Sequence, residues 1–113
     1  MKLRTAIKNA DILRQNALDD ELKSKWIYEL EGKVCEVLDK EAPENSFPED
    51  ATLVCPAPYD NIYELYVVSM IDYYHGESDS YANDMEMFNA AWNEARAYLR
   101  RKNMPKSRGG IKI

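Results

Sequence analysis

The chain contains few of the residues that build metal centres and catalytic dyads. Its 113 residues include two cysteines, Cys35 and Cys55, and a single histidine, His75. Two cysteines are too few for a disulfide framework, and one histidine without a CxxC pair does not supply the ligands of a zinc site. We therefore expect two free thiols in a reducing compartment, with Cys35 acting as a small apolar filler beside the core.

Long apolar runs are missing as well. No stretch of 18 consecutive apolar residues occurs, so we expect no membrane span, and the N-terminal residues lack the apolar segment of a secretory signal. The chain is nevertheless 45% apolar, which is enough for one core at a length typical of a single domain. We predict a helical domain over residues 1–105 and a basic C-terminal tail over residues 106–113.

Acidic and basic residues are unevenly distributed along the chain. Residues 1–95 carry 20 Asp and Glu against 8 Lys and Arg, whereas residues 96–113 carry 7 Lys and Arg and no acid. Such a dipolar chain can steer a partner, or let the end of one subunit meet the body of the next. We identify six cations as candidate protein-interaction residues: Arg100, Arg101, Lys102, Lys106, Arg108 and Lys112.

A simpler explanation covers half of these cations. Positive charges near the C-terminus of a helix complement the helix dipole, and this accounts for Arg100 to Lys102. It does not account for the three cations after Pro105, a residue that ends the helix.

Apolar periodicity predicts four helices. Thr5 is the expected N-cap of a first helix that ends near Arg14, and Asp19 that of a second helix ended by Pro43. The predicted apolar stripe of the second helix consists of Leu22, Trp26, Leu30, Val34, Val37 and Leu38.

The third and fourth helices form a predicted hairpin. Asp60 is the expected N-cap of a third helix that runs to Tyr74 and is apolar nearly all round, which is typical of a central core helix. Gly76 suits the C′ position, and Ser78 or Ser80 is expected to cap the fourth helix. Its predicted inner stripe consists of Met85, Phe88, Trp92, Ala95 and Leu99.

The two helices of the hairpin differ in predicted length. The fourth, at about 25 residues, should outrun the third, at about 15, by roughly three turns. The excess begins near Arg96, so we expect the basic end of the fourth helix to project beyond the core.

The predicted fold class is therefore all-α. It is a four-helix, bundle-like domain with a long helical hairpin, a Pro-rich middle loop and an extended C-terminal tail. The segments 52–55 and 111–113 have strand-like patterns and are candidates for a short β pairing, within the chain or between subunits.

No residue set indicates catalysis or cofactor binding. His75 beside Asp72 could provide a base, but no nucleophile or oxyanion site accompanies them, and a structural role at the helix end is favoured. The tyrosines of the third helix suit a core boundary and equally a subunit interface, and we take Tyr63 and Tyr74 as candidate interface residues. We predict no catalytic residue, no cofactor and no metal.

Several segments resemble a family of small proteins from tailed bacteriophages and prophages of gut-type Firmicutes. The segments are WIYELEGK (26–33), PAPYD (56–60), YELY (63–66), IDY (71–73), GE (76–77), MFNAAW (87–92) and NMPK (103–106). The family resembled is that of the head–tail connector, or head-completion, proteins of long-tailed phages. These segments are packing and turn patterns, so no site residue is carried over from the family.

The resemblance implies a helical adaptor that forms a ring beneath the portal, extends the DNA channel and receives the tail. Its implied partners are portal and tail or stopper proteins, with DNA only as cargo through the channel. Its implied location is the virion, and the host cytoplasm during assembly. The expected protein is monomeric or weakly associated alone and a homo-oligomer in the particle. The alternative is a small regulatory or DNA-associated phage protein that uses the basic tail.

Overall fold

The computed structural model describes residues 1–42 and 51–103, and within them the all-α prediction is confirmed. The helices, in chain order, are α1 (Leu3–Leu13), α2 (Asp20–Val37), α3 (Asn61–Tyr74) and α4 (Ser78–Lys102). No described helix has the length and apolar character needed to cross a membrane.

Contacts at the helix ends show that the helices alternate in direction. Arg14, directly after α1, forms ion pairs with Asp72 near the end of α3 and Asp84 near the start of α4. The α1–α2 link (residues 14–19) and the α3–α4 turn (residues 75–77) therefore lie at the same end of the molecule. We call this the turn end.

The start of α1, the segment before α3 and the end of α4 occupy the opposite end. The Leu3 backbone N–H donates to the Ala51 carbonyl oxygen at 2.9 Å. Tyr59, just before α3, stacks on Tyr98 of α4 with 4.6 Å between ring centroids. The arrangement is an up-down-up-down bundle, so the basic end of α4 lies at the far end from the turn end.

All four helices contribute to one core, but the buried face of α2 differs from the predicted stripe. Trp26, Leu30 and Val34 are buried as expected, whereas the flanking positions of the stripe are only half-buried. The face is rotated toward a second row of side chains. That row consists of Lys23, Ile27, Glu31 and Cys35. Two charged residues are therefore buried where the apolar pattern predicts none.

The N-terminus of α1 differs from the prediction. Helix α1 has Lys2 as its N-cap, so Thr5 lies inside the helix and is exposed. Lys2 forms an isolated antiparallel bridge with Thr52, and this pairing fixes where α1 begins. The predicted partner of the 52–55 segment, residues 111–113, lies outside the described residues, as does Pro43.

The hairpin turn is shorter than predicted. Glu77 is the N-cap of α4 and Ser78 is already its first helical residue, because the Glu77 N–H donates to the Asp72 carbonyl oxygen at 2.9 Å. Gly76 has a φ of 72° and occupies the predicted C′ position. Asp19 and Asp60 are the N-caps of α2 and α3, as predicted, although neither side chain makes a capping hydrogen bond.

Helix α4 outruns α3 as predicted, with 25 residues against 14. The expectation that the excess projects freely from the core is wrong for most of its length. Ala95 and Leu99 are buried, and Tyr98 is covered by Tyr59. The segment that leads into α3 folds against these turns, so only the last turn of α4 extends beyond the core.

Candidate functional site

The exposed last turn of α4 carries the predicted cations that fall within the described chain. All three side chains are exposed: Arg100, Arg101 and Lys102. One turn earlier, Arg96 is half-buried and lines a groove of about 490 Å³ between α2 and α4, together with Lys33 and Trp92. The other three candidate cations, Lys106, Arg108 and Lys112, lie outside the described residues.

The two candidate interface tyrosines occupy opposite environments. Tyr63 is 0% exposed, so its prediction as a surface interaction residue is wrong. Its hydroxyl faces the interior because it has buried hydrogen-bond partners there. Tyr74 is 57% exposed and makes an edge-on contact with Trp26, with ring centroids 5.9 Å apart. Only Tyr74 is available to a partner.

The hydroxyl of Tyr63 belongs to a buried network around Glu31. It donates to Glu31 Oε1 at 2.5 Å and accepts from the Cys55 backbone N–H at 3.0 Å. The Val54 N–H donates to Glu31 Oε2 at 2.7 Å. One carboxylate of α2 thereby connects α3 to the non-helical segment 53–55. Because buried polar groups require partners, this network positions the segment that covers the end of α4.

Burial raises the pKa of the titratable side chains in this part of the protein. Desolvation raises the pKa of Glu31, although its hydrogen bonds from Tyr63 and Val54 oppose the shift. Desolvation and the nearby Glu31 carboxylate also raise the pKa of Tyr63. The pKa of Cys55 is raised to about 11, chiefly by burial. The tyrosine and the thiol are therefore held in their neutral, structural forms at neutral pH.

A second, partly buried cluster lies at the turn end. Arg14 Nη2 donates to Asp84 Oδ1 and Oδ2 at 3.2 Å each, and Arg14 Nε lies 3.3 Å from Asp72 Oδ1. Burial, and next the Asp84 carboxylate, raise the pKa of Asp72 to about 6 in spite of Arg14. One guanidinium thus holds two carboxylates, from α3 and α4, against the end of α1.

A third buried charge ties α1 to α2. Lys23 is 2% exposed and its Nζ lies 2.8 Å from Asp11 Oδ1. The Asn16 side-chain amide donates to the same oxygen at 3.0 Å, and Asn16 Oδ1 accepts from the Leu18 N–H at 3.0 Å. The α1–α2 link is therefore fixed by side chains from both of the helices it joins.

The arrangement of His75 beside Asp72 that could have provided a base is not present. His75 is exposed, whereas the Asp72 carboxylate is buried against Arg14. Across residues 1–42 and 51–103, no three or more His, Cys, Asp and Glu side chains converge as a metal site would require. The buried polar groups described above connect helices to one another, and the exposed charges at the end of α4 are the groups best placed to meet a partner.

Comparison with protein-family models, with curated proteins and with solved structures finds no match to this chain. The function must therefore be inferred from the residues and from their arrangement.

Sequence reasoning missed the buried charged residues. Lys23, Ile27 and Glu31 recur at steps of four, which is a helical row beside the apolar stripe. That spacing was available in the sequence, but charged side chains are rarely buried, and their partners lie far along the chain. In α3, Asp72 stands out as a carboxylate in a helix that is otherwise almost entirely apolar.

Proposed function

We propose that this protein is a structural subunit of a phage head–tail connector, which docks on the portal and joins the capsid to the tail. The observation that carries the proposal is the unequal hairpin. Helix α4 continues past α3 and ends in three exposed cations on an otherwise acidic chain. A cationic helix end on an acidic body is suited to electrostatic recognition of another protein surface.

The polar contacts between the helices support the same proposal. A connector subunit must hold its contact surfaces in fixed positions, and here each helix joins its neighbours through buried polar contacts. Arg14 links α1 to α3 and α4, and Glu31 links α2 to α3. These contacts favour a structural protein over an enzyme, because their charged groups are already engaged within the fold.

The acidic body supports a role near DNA without binding it. Residues 1–95 carry 20 acidic against 8 basic side chains, and a phosphate backbone would be repelled by that excess. A channel lining of this kind lets DNA pass as cargo. The protein would act in the virion, and in the host cytoplasm during assembly.

Binding to portal is the decisive measurement. The purified chain is mixed with the portal and tail components encoded beside its own gene, and complexes are examined by electron microscopy and light scattering. We expect a ring of this protein on the portal. Failure to bind any of those components refutes the proposal.

Two variants test whether assembly on the portal requires the basic end of α4. Arg100→Glu/Arg101→Glu should lose portal binding, while Lys8→Glu/Lys25→Glu, with the same charge change at exposed sites on α1 and α2, should keep it. Equal loss in both variants would mean that net charge, not the end of α4, determines binding. Salt-dependent binding to duplex DNA at micromolar concentration, without portal binding, would favour the alternative of a DNA-associated regulatory protein.

A further inference from the structure

The exposed apolar side chains of this protein are concentrated at one end. Five large apolar residues are prominently exposed in the described chain, and Met87, in the middle of α4, is the exception. The other four lie at the turn end: Ile12, Leu13, Tyr73 and Tyr74, with 57–72% of each side chain accessible. Monomeric proteins rarely leave such a concentration uncovered unless it meets a partner.

Exposed acidic residues lie at the same end of the molecule as these apolar side chains. The α1–α2 link with the first turn of α2 (residues 15–22), and the α3–α4 turn with the first residues of α4 (residues 75–80), contain no Lys or Arg. Their exposed carboxylates are Asp19, Asp20, Glu21, Glu77 and Asp79. Two nearby cations are engaged within the fold. Arg14 pairs with Asp72 and Asp84. Lys23 pairs with Asp11 and, at 3.7 Å, with Asp20. The turn end therefore carries exposed apolar side chains together with an excess of exposed carboxylates.

The helix dipole explains only part of this arrangement. The acidic residues lie at the N-termini of α2 and α4, where negative charge is favourable in any helix. That effect does not explain why four apolar side chains are exposed at the same end, namely Ile12, Leu13, Tyr73 and Tyr74. Exposed apolar side chains among charged ones are typical of a protein–protein contact.

We propose that the turn end is a docking surface for a second copy of this chain, which presents the basic end of its own α4. The complementary surface lies at the opposite end of the bundle, where Arg100, Arg101 and Lys102 are exposed. Positive and negative ends on one rigid body favour head-to-tail contact and disfavour contact between like ends.

This geometry determines the kind of assembly. A head-to-tail contact joins two different surfaces, so a pair of subunits still has one free surface of each kind, and the series closes into a ring or continues as a filament. The inference deepens the connector proposal and rests on its premise that subunits associate with one another. A helix end buries little area, so we expect the contact to be weak in the isolated protein.

Charge reversal of each end, followed by mixing, tests the proposal. Sedimentation velocity of the wild type at low salt should show association that increases with concentration and weakens at 300 mM salt, by the screening expected of exposed charges. Arg100→Glu/Arg101→Glu lowers the net charge of residues 96–113 from +7 to +3, and Glu21→Lys/Asp79→Lys lowers that of the five exposed turn-end carboxylates from −5 to −1. Each variant alone should associate at least about tenfold more weakly than the wild type, because one of the two meeting surfaces has lost most of its charge.

Mixing the two variants should restore association. The unchanged turn end of the first variant then meets the unchanged basic end of the second, so the complexes should contain both variants. The matched control Glu86→Lys/Glu94→Lys carries the same charge change on exposed positions of α4 away from the turn end, and it should associate like the wild type. Circular dichroism checks that each variant remains helical.

Three results would overturn the inference. The wild type shows no self-association at any accessible concentration, either variant alone associates as strongly as the wild type, or mixing the two variants fails to restore association. None of these measurements involves the portal. If the protein binds portal but does not associate with itself as described, the connector proposal stands and the head-to-tail contact is refuted. If it associates as described but does not bind portal, only the head-to-tail contact stands.

Discussion

Replacing Tyr63 with phenylalanine removes a single oxygen atom from the centre of the protein. That oxygen donates to the Glu31 carboxylate at 2.5 Å and accepts from the Cys55 N–H at 3.0 Å. The ring itself is 0% exposed and its packing is unchanged by the substitution. The effect on stability therefore reports on the two hydrogen bonds.

The expected cost follows from what each partner loses. A hydrogen bond to a charged group contributes about 1.5–3 kcal/mol, and leaving a buried N–H without a partner costs about 1–3 kcal/mol. Glu31 keeps its bond from the Val54 N–H, and partial relaxation makes the two losses less than additive. We expect Tyr63→Phe to lower the free energy of unfolding by about 3 kcal/mol.

Urea unfolding followed by tryptophan fluorescence and circular dichroism measures this change. With a urea dependence of about 1.5 kcal/mol per molar, the midpoint should fall by about 2 M. Tyr74→Phe makes the same chemical change on a side chain that is 57% exposed and should alter stability by less than about 0.5 kcal/mol.

A double-mutant cycle with Glu31→Gln isolates the bond between the two side chains. The double variant should be more stable, by at least about 1 kcal/mol, than the sum of the single losses implies. A loss below about 0.5 kcal/mol for Tyr63→Phe, or strict additivity in the cycle, would refute the view that this network holds the 53–55 segment in place.

Three further predictions concern other parts of the bundle. The pKa of Asp72 is about 6 in the folded protein against an ordinary 3.8, so the folded state binds the extra proton between these values and stability should rise as pH falls from about 7 to about 4. In urea unfolding at several pH values, Asp72→Asn should lose this part of the pH dependence, and an unchanged slope would contradict the assignment. Gly76→Ala should destabilise by about 1 kcal/mol because its φ is 72°, whereas Gly32→Ala, with no atom within 4 Å of the added Cβ in α2, should stabilise by up to about 1 kcal/mol. Thermal melts giving these two variants the same sign would show that backbone conformation does not decide the outcome. Cys55, buried and with a pKa of about 11, should react with a thiol reagent at pH 8 only on unfolding, and rapid labelling of the native protein would disprove its enclosure.

The sequence was sufficient for features that depend on local chemistry. Gly76 marks a left-handed turn, Asp60 and Asp19 mark helix starts, and the apolar steps of α3 and α4 give their lengths. Each of these signals lies within a few residues of the feature it determines.

Features that depend on distant partners could not be predicted in the same way. The burial of Glu31 depends on Val54, 23 residues away, and on Tyr63, 32 residues away. Likewise the pattern of residues 52–55 indicates a strand without indicating its partner, and Lys2 is the partner found for Thr52. The apolar character of the exposed turn-end residues can be read from the sequence. Only the direction of the helices shows that these residues lie at the same end of the molecule.

The contact between Arg14 and Asp84 joins residues 70 positions apart. By contrast, α3 and α4 are joined by a turn of three residues and meet along their length. Closing a long loop costs more entropy than closing a short one, so the hairpin should assemble early in folding and α1 should dock late. Native-state hydrogen exchange would then show α1 amides opening at a lower free energy than those of α3, and identical opening energies would mean that the four helices fold as one cooperative unit. The contacts of the Arg14 guanidinium with Asp72 and Asp84 should therefore form last during folding and break first during local unfolding.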